Sequence, residues 1–342
     1  MVLTGSTLRR TTVSGGMRRR PEWLRADMPP VVIAADYGGP EVLTVVDEPT
    51  AEPGPGQALI AIEAAGVNPV DYKMYSGAFG RDPDSLPMRL GLEATGIVTR
   101  VGPGAVGPVG PVHIGDEVIA FRAPGAYARE LVVTAQSLVP KPAALDWAQA
   151  SGLLLTGATA WHCLAATGVA RGDTVLVHGG SGGVGLMAVQ LAAYRGASVI
   201  ATASPARHEF LLELGAVPVA YGPGLADRVR AAAPTAVDVA LDLIGTDEAV
   251  DVSLELVADR ARIATIAAMG RAPAAGIRAL GGAPGADPGT EIRAAARPEL
   301  ARLASEGQLR VVVSETFPLA RVADAHRAIM TGHTVGKIAL IP

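Results

Sequence analysis

The sequence predicts a two-part α/β protein, in which a compact antiparallel, barrel-like β domain precedes a doubly wound parallel sheet. Three observations carry this. From residue 30 to about residue 142, short β-rich runs are cut by Gly and Pro. From about residue 146, strand-like and helix-like segments alternate, which implies parallel strands joined by right-handed crossovers. And 342 residues suffice for two domains that each bury a core.

In the first part, VVIAADY, LTVVDE, QALIAIEAAGV, GIVTRVG, DEVIAF and YARELVV have strand composition at the close spacing of a small barrel. No helix of note is expected there before the alanine-rich segment at Trp147. In the second part, strands are expected at residues 174–178, 197–202 and 217–220 and within VDVALDLI and ARIATIAA. Helices are expected at 184–194, 207–214 and near 247–257. A Pro/Gly-rich linker after about Gly282 leads to a helix at 298–305, a strand in LRVVVSETF, a helix through His326 and a closing strand, KIALIP. A doubly wound sheet is complete without these last strands, so they are expected to return to the first domain. The expected division is residues 30–145 with 284–342 for the β domain, and 146–283 for the parallel-sheet domain.

Residues 1–29 are different in kind, because Arg9, Arg10, Arg18, Arg19 and Arg20 have no acidic residue among them. They are expected to be a disordered basic tail, or the product of a start placed ahead of Met17 or Met28, with a mitochondrial transit segment as the alternative. Apolar residues make up 49% and charged ones 18%, the balance of a folded chain. No apolar run reaches the ~18 residues of a bilayer span. A net charge of −4 leaves no nucleic-acid footprint. The single cysteine, Cys163, removes any disulfide framework and any cysteine-based zinc cluster, and a reducing cytoplasm fits.

The chemistry begins at His178-Gly179-Gly180-Ser181-Gly182-Gly183-Val184-Gly185. Gly180, Gly182 and Gly185 follow a buried-type strand and open a helix, the context in which G-x-G-x-x-G binds a dinucleotide in a Rossmann domain. One glycine makes the tight turn, one lets backbone approach the pyrophosphate, and one lets helix pack on strand. The amides from Gly180 through Ser181, Gly182, Gly183, Val184 and Gly185 are therefore the expected phosphate cradle; a turn with purely structural glycines is the alternative. Where NAD-binding chains place an acid at the end of the second strand, this chain has Ala201-Thr202-Ala203-Ser204, with Arg207 three residues on. A hydroxyl and a guanidinium suit a 2′-phosphate, so NADPH is the expected cofactor. Ser204 equally fits a helix cap ahead of Pro205.

Three further segments stand out: Gly66-Val67-Asn68-Pro69-Val70-Asp71-Tyr72-Lys73, Gly91-Leu92-Glu93-Ala94-Thr95-Gly96 and Leu155-Thr156-Gly157-Ala158-Thr159-Ala160. With the glycine loop, in this order, the chain from about residue 31 to 342 resembles the zinc-independent medium-chain dehydrogenase/reductase superfamily, quinone oxidoreductase branch, which includes enone and enoyl reductases. The resemblance implies a GroES-like domain packed on the Rossmann domain, a substrate cleft beside the nicotinamide, and a homodimer formed through an edge strand. Zinc-bearing relatives carry a Cys where this chain has Val67 or Asn68 and a His where Leu92 stands, so no metal is expected. Asn68 and Thr156 match positions that face the nicotinamide and its ribose. Lys73 follows an Asn-Pro-Val-Asp-aromatic run similar to that of enone-reducing relatives and is the expected donor to the substrate oxygen. Tyr221 matches a tyrosine that stacks near the adenine or touches the 2′-phosphate. Phe79 stands close to where enoyl-thioester reductases carry a Tyr, which argues against a thioester substrate.

Other conspicuous residues have plain expectations. His162 and Cys163 are helix neighbours whose side chains point apart, so packing is expected. His178 should support the glycine loop, Asp71 should orient local backbone, and His326 and His333 lack metal-ligand spacing. The expected function is an NADPH-dependent reductase acting on an enone, a quinone or an enoyl substrate, with no nucleic-acid or membrane partner. A non-catalytic NADPH-binding sensor or biosynthetic-complex partner, and a carbonyl-to-alcohol reductase, are the alternatives.

Overall fold

The computed structural model describes residues 28–342, so all but the last two residues of the basic N-terminal tail lie outside the described residues. Gly and Pro break the first part into β1 (Pro30–Ala34), β2 (Leu43–Asp47), β3 (Gln57–Val67), β4 (Met88–Arg89), β5 (Glu93–Val101), β6 (Val106–Gly107), β7 (Gly110–Pro111), β8 (Glu117–Phe121), β9 (Glu130–Thr134) and β10 (Leu138–Pro140). One helix, α1 (Pro69–Tyr75), departs from the expectation of none before Trp147. Its signal was present: Asn68 at the cap, Pro69 at the first position, and Asp71 at the third, whose Oδ2 accepts the Asn68 amide at 2.9 Å. A run of seven residues is too short to show helical periodicity.

Two helices, α2 (Trp147–Ala150) and α3 (Leu154–Ala166), lead into the second part. There β11 (Thr174–His178), α4 (Gly183–Tyr194), β12 (Ser198–Thr202), α5 (His208–Glu213), β13 (Ala216–Val219), α6 (Leu225–Ala232), β14 (Val239–Asp242), α7 (Asp247–Leu256), β15 (Ile263–Thr265), α8 (Ala272–Ala275) and β16 (Arg278–Ala279) follow. The strands form one parallel sheet in the order β13-β12-β11-β14-β15-β16, the doubly wound Rossmann arrangement. Strand order reverses between β11 and β14, which places the glycine loop after β11 at the switch point where such sheets bind ligands.

The last segment divides. α9 (Thr290–Ser305) begins well before residue 298 and packs with α3 in the core of the parallel-sheet half, through Ala296, Leu300 and Leu303. Pro298 does not end it, although proline removes the amide that would bond Ala294 O. The Arg297 Nε group reaches that carbonyl at 3.4 Å. By contrast β17 (Val313–Pro318) and, after α10 (Val322–Met330), β18 (Lys337–Ile341) belong to the GroES-like sheet of order β10-β8-β5-β3-β18-β17, where β18 sets Ile338 opposite Val67 of β3. Strand β3 is hemmed by β5, β9 and β18, so it is buried almost throughout and loses the in–out alternation of an edge strand.

Candidate active site

The glycine loop is built by close approach. A Cβ on Gly185 would stand 2.2 Å from Gly179 O, and one on Gly180 would stand 2.7 Å from Ala201 Cβ. At Gly182 the same atom would meet only Gly179 O, at 3.5 Å, so this face is kept open rather than packed. The loop is held by Gly180 N–H donating to Thr202 O (2.9 Å) and Gly182 N–H donating to Gly179 O (3.1 Å). The amides of Ser181 and Val184 donate to no described residue, as expected at a helix start that receives an anion, while Gly182 and Gly336 form a parallel bridge. Such a cradle fits the pyrophosphate of a dinucleotide.

Strand β18 starts against this loop. Gly336 N–H donates to Ser181 O at 3.0 Å, and a Cβ at Gly183 would touch Gly336 O, Lys337 Cδ and Thr156 Cγ2, each at 3.1 Å. Thr156 is thereby brought beside the loop, while its hydroxyl donates to Gly152 O at 2.6 Å. Lys337 is buried, and its ammonium donates to Val67 O and to Asn68 Oδ1, both at 2.5 Å. Asn68, itself buried, spends its amide on Gly66 O at 3.1 Å. So Asn68, Thr156 and the glycine loop converge on one buried lysine. Lys73 lies further along α1, half-buried, its ammonium unbonded among the described residues.

Two buried carboxylates complete the polar floor. Glu93 Oε1 accepts the amides of Leu154 (2.6 Å) and Leu155 (2.9 Å), tying β5 to the first turn of α3. Asp71 Oδ2 also accepts the Tyr127 hydroxyl, at 2.6 Å. Burial raises the Asp71 carboxyl to about 6, against the lowering pull of Tyr127. Burial likewise raises Glu93, partly opposed by the Lys337 charge, and holds Lys337 below the ordinary lysine value. Sequence reasoning missed Glu93 and Lys337. The only available signal was an acid and a lysine lodged in apolar strands, GLEATG and GKIALIP.

Beyond the ends of β12 and β13, Ser204 is half-buried and caps a short turn, with Arg207 N–H donating to its carbonyl at 2.9 Å. The Ser204 hydroxyl, the Arg207 guanidinium and the exposed Tyr221 bond to no described residue. His162 is more than a packing residue: its Nε2 lies 3.2 Å from Asp287 Oδ2, and its Nδ1 accepts from Arg293 Nε at 3.3 Å. Cys163 is buried, and burial pushes its thiol up to about 12, which makes it inert. Among the described residues no group of three His, Cys, Asp or Glu is placed to hold a metal ion, and no helix is long and apolar enough to cross a membrane.

Comparison with known proteins agrees with this architecture. Residues 54–143 match the alcohol dehydrogenase GroES-like domain, and residues 214–340 match the family described as zinc-binding dehydrogenase. A quinone oxidoreductase of Pseudomonas aeruginosa is 32% identical over 329 residues, covering 90% of this chain and 98% of that protein. A chloroplastic NADPH-dependent alkenal/one oxidoreductase of Arabidopsis thaliana is 31% identical, covering 91% of this chain and 78% of that protein. The chain also matches a Streptomyces halstedii polyketide synthase at 34% identity, spanning only 5% of its length. Among solved structures, a mycobacterial protein complexed with NADPH superposes with a TM-score of 0.78 at 32% identity, covering 92% of this chain and all (100%) of that one. The chain is thus an oxidoreductase that belongs to the medium-chain dehydrogenase/reductase superfamily, among its quinone oxidoreductases.

Proposed function

We propose that this chain is an NADPH-dependent reductase that delivers hydride, without zinc, to the β-carbon of an α,β-unsaturated carbonyl or to a quinone. The observation that carries the proposal is the buried junction at Lys337, where the glycine loop, Asn68 and the GroES-like sheet meet. The nucleotide, held in the loop, supplies the hydride. The free amides of Ser181 and Val184 grip its pyrophosphate, and Ser204, Arg207 and Tyr221 receive the 2′-phosphate. No carboxylate stands at the end of β12 to repel that phosphate. Lys337 fixes Asn68, and Asn68 with Thr156 shapes the nicotinamide side of the cleft. Since the Lys337 ammonium is already committed, Lys73, on the helix that Asn68 starts, donates to the oxygen on which negative charge grows.

Zinc independence is supported by residue type. Val67 or Asn68 stands where zinc-bearing relatives carry a Cys and Leu92 where they carry a His, and neither a thiolate nor an imidazole is present at those positions. The division at residues 145–146 and a homodimer through the edge of the parallel sheet belong to the same proposal, whereas residues 290–305 pack with the parallel-sheet half and not with the GroES-like domain expected from residue 284. NADPH oxidation across matched enones, quinones and enoyl thioesters tests it, with turnover of an enone or a quinone expected and NADH a poor substitute. NADPH binding with no oxidation by any of these acceptors would overturn it.

A further inference from the structure

One group of side chains is left unused by this reading. Strand β8 ends at Phe121, opposite Glu93, and Ala123 N–H donates to Leu92 O at 3.0 Å. Between them stands Arg122, exposed and at φ 53, the only described non-glycine residue with positive φ. That conformation costs an arginine free energy and persists where the surroundings impose it, commonly at binding sites. Two further arginines approach from α9, and the Arg122 charge is felt at both. The Arg297 guanidinium stacks 5.3 Å from the centre of the Phe121 ring and donates to Gln136 O at 3.3 Å. One turn earlier, Arg293 donates through Nη1 to Thr159 Oγ1 at 3.1 Å and through Nε to His162 Nδ1. Its Nη2 is buried with no partner.

None of the three forms an ion pair with a described residue. Asp287 is the acid nearby, and it is engaged by His162 Nε2 and by Gly289 N–H (2.8 Å). Burial and the Arg293 charge keep His162 neutral, so Nδ1 accepts from Arg293 and Nε2–H donates to Asp287, a relay that orients the guanidinium. Three positive charges beside one occupied carboxylate leave an unmet demand for an anion. Thr159 lies one helical turn, about 5 Å, along α3 from Thr156, which borders the glycine loop, so the cluster lies close to the candidate cofactor site.

We propose that Arg122, Arg293 and Arg297 form an anion subsite that binds a carboxylate or phosphate carried on the tail of the acceptor. The inference rests on the reductase reading and names its substrate class: an enone or quinone with an acidic group remote from the reacting carbon. Planar forked guanidiniums match both oxyanions.

The test is calorimetric titration of the full chain, with and without NADP⁺, using three alkenones that differ only at the chain end: carboxylate, phosphate monoester and methyl ester. A charged end is expected to bind at least about ten-fold more tightly than the ester; whichever acid is preferred identifies the group. The ratio should fall towards one in Arg122→Gly, which also relieves the positive φ, and in Arg293→Gln. Equal affinity for all three ligands, or a preference that survives both substitutions, would overturn the subsite. NADPH oxidation in the same series separates the two proposals: turnover without charge preference removes the subsite alone, and charge-selective binding without turnover removes the reductase alone.

Discussion

The Lys337 ammonium donates to Asn68 Oδ1 at 2.5 Å, joining the last strand to the residue that starts α1. In Lys337→Met, Val67 O and Asn68 Oδ1 lose their donor inside the protein, and Glu93 and Asp71 lose the positive charge that favours their ionised forms. The expected outcome is a loss of about 2 kcal/mol in urea unfolding, with weaker NADPH binding because Lys337 also lines the glycine loop. Unchanged stability would mean that the buried ammonium is no net support.

Lys73 has no comparable structural bond, so its replacement separates chemistry from folding. For Lys73→Ala we expect kcat to fall about 100-fold on an enone, with the melting temperature and the Kd for NADPH unchanged. Retained kcat would remove Lys73 from the mechanism.

The glycine loop gives a contrast between two adjacent designs. Gly185→Ala sets a methyl group against backbone at 2.2 Å and should destabilise the fold by about 1–3 kcal/mol. Gly182→Ala meets only ordinary contact and should melt like the parent, yet bind NADPH at least about ten-fold more weakly, because the methyl fills the pyrophosphate's space. Fluorescence titration with NADPH beside thermal melts reads both.

Cofactor choice should follow Arg207. In Arg207→Gln, kcat/KM for NADPH is expected to drop about ten-fold while that for NADH stays nearly constant, since only the former carries the 2′-phosphate. Equal losses for the two cofactors would place Arg207 outside the phosphate site.

Acid stability depends on two buried imidazoles. Burial lowers His326 and His178 from 6.5 to about 4 each. Between those values the unfolded chain holds protons that the folded chain refuses, so their contribution to stability falls as pH falls from about 6.5 to about 4. Asp71, raised to about 6, acts in the opposite sense: its folded carboxyl keeps a proton that the unfolded chain has released, so its contribution falls as pH rises from about 4 to about 6. His326→Asn removes one imidazole and leaves Asp71 in place. Between pH 6.5 and 4.5 the variant's urea midpoint should therefore decline less than the parent's; parallel curves would refute linkage at His326.

The sequence by itself determined the parallel-sheet half, its glycine loop and the acid-free end of β12. Those features are written locally: strand and helix periods are set by neighbouring residues, and Gly180 and Gly185 answer the close approach of chain within a few residues or one strand away. α1 was also encoded locally, in Asn68, Pro69 and Asp71, but a helix of seven residues leaves no periodic trace. Tertiary structure alone decided which charges meet. Glu93 and Lys337 are 244 positions apart in the numbering, and Arg122 and Arg293 are 171 apart. Long-range pairing of β3 with β5 and β18 brings Glu93 and Lys337 into common low-dielectric surroundings, and the packing of α9 on α3 sets Arg293 beside Thr159 and His162. A charged residue in a sequence does not disclose whether water or another side chain will be its partner, and that choice is what converts Lys337, Glu93 and Arg293 from composition into a site.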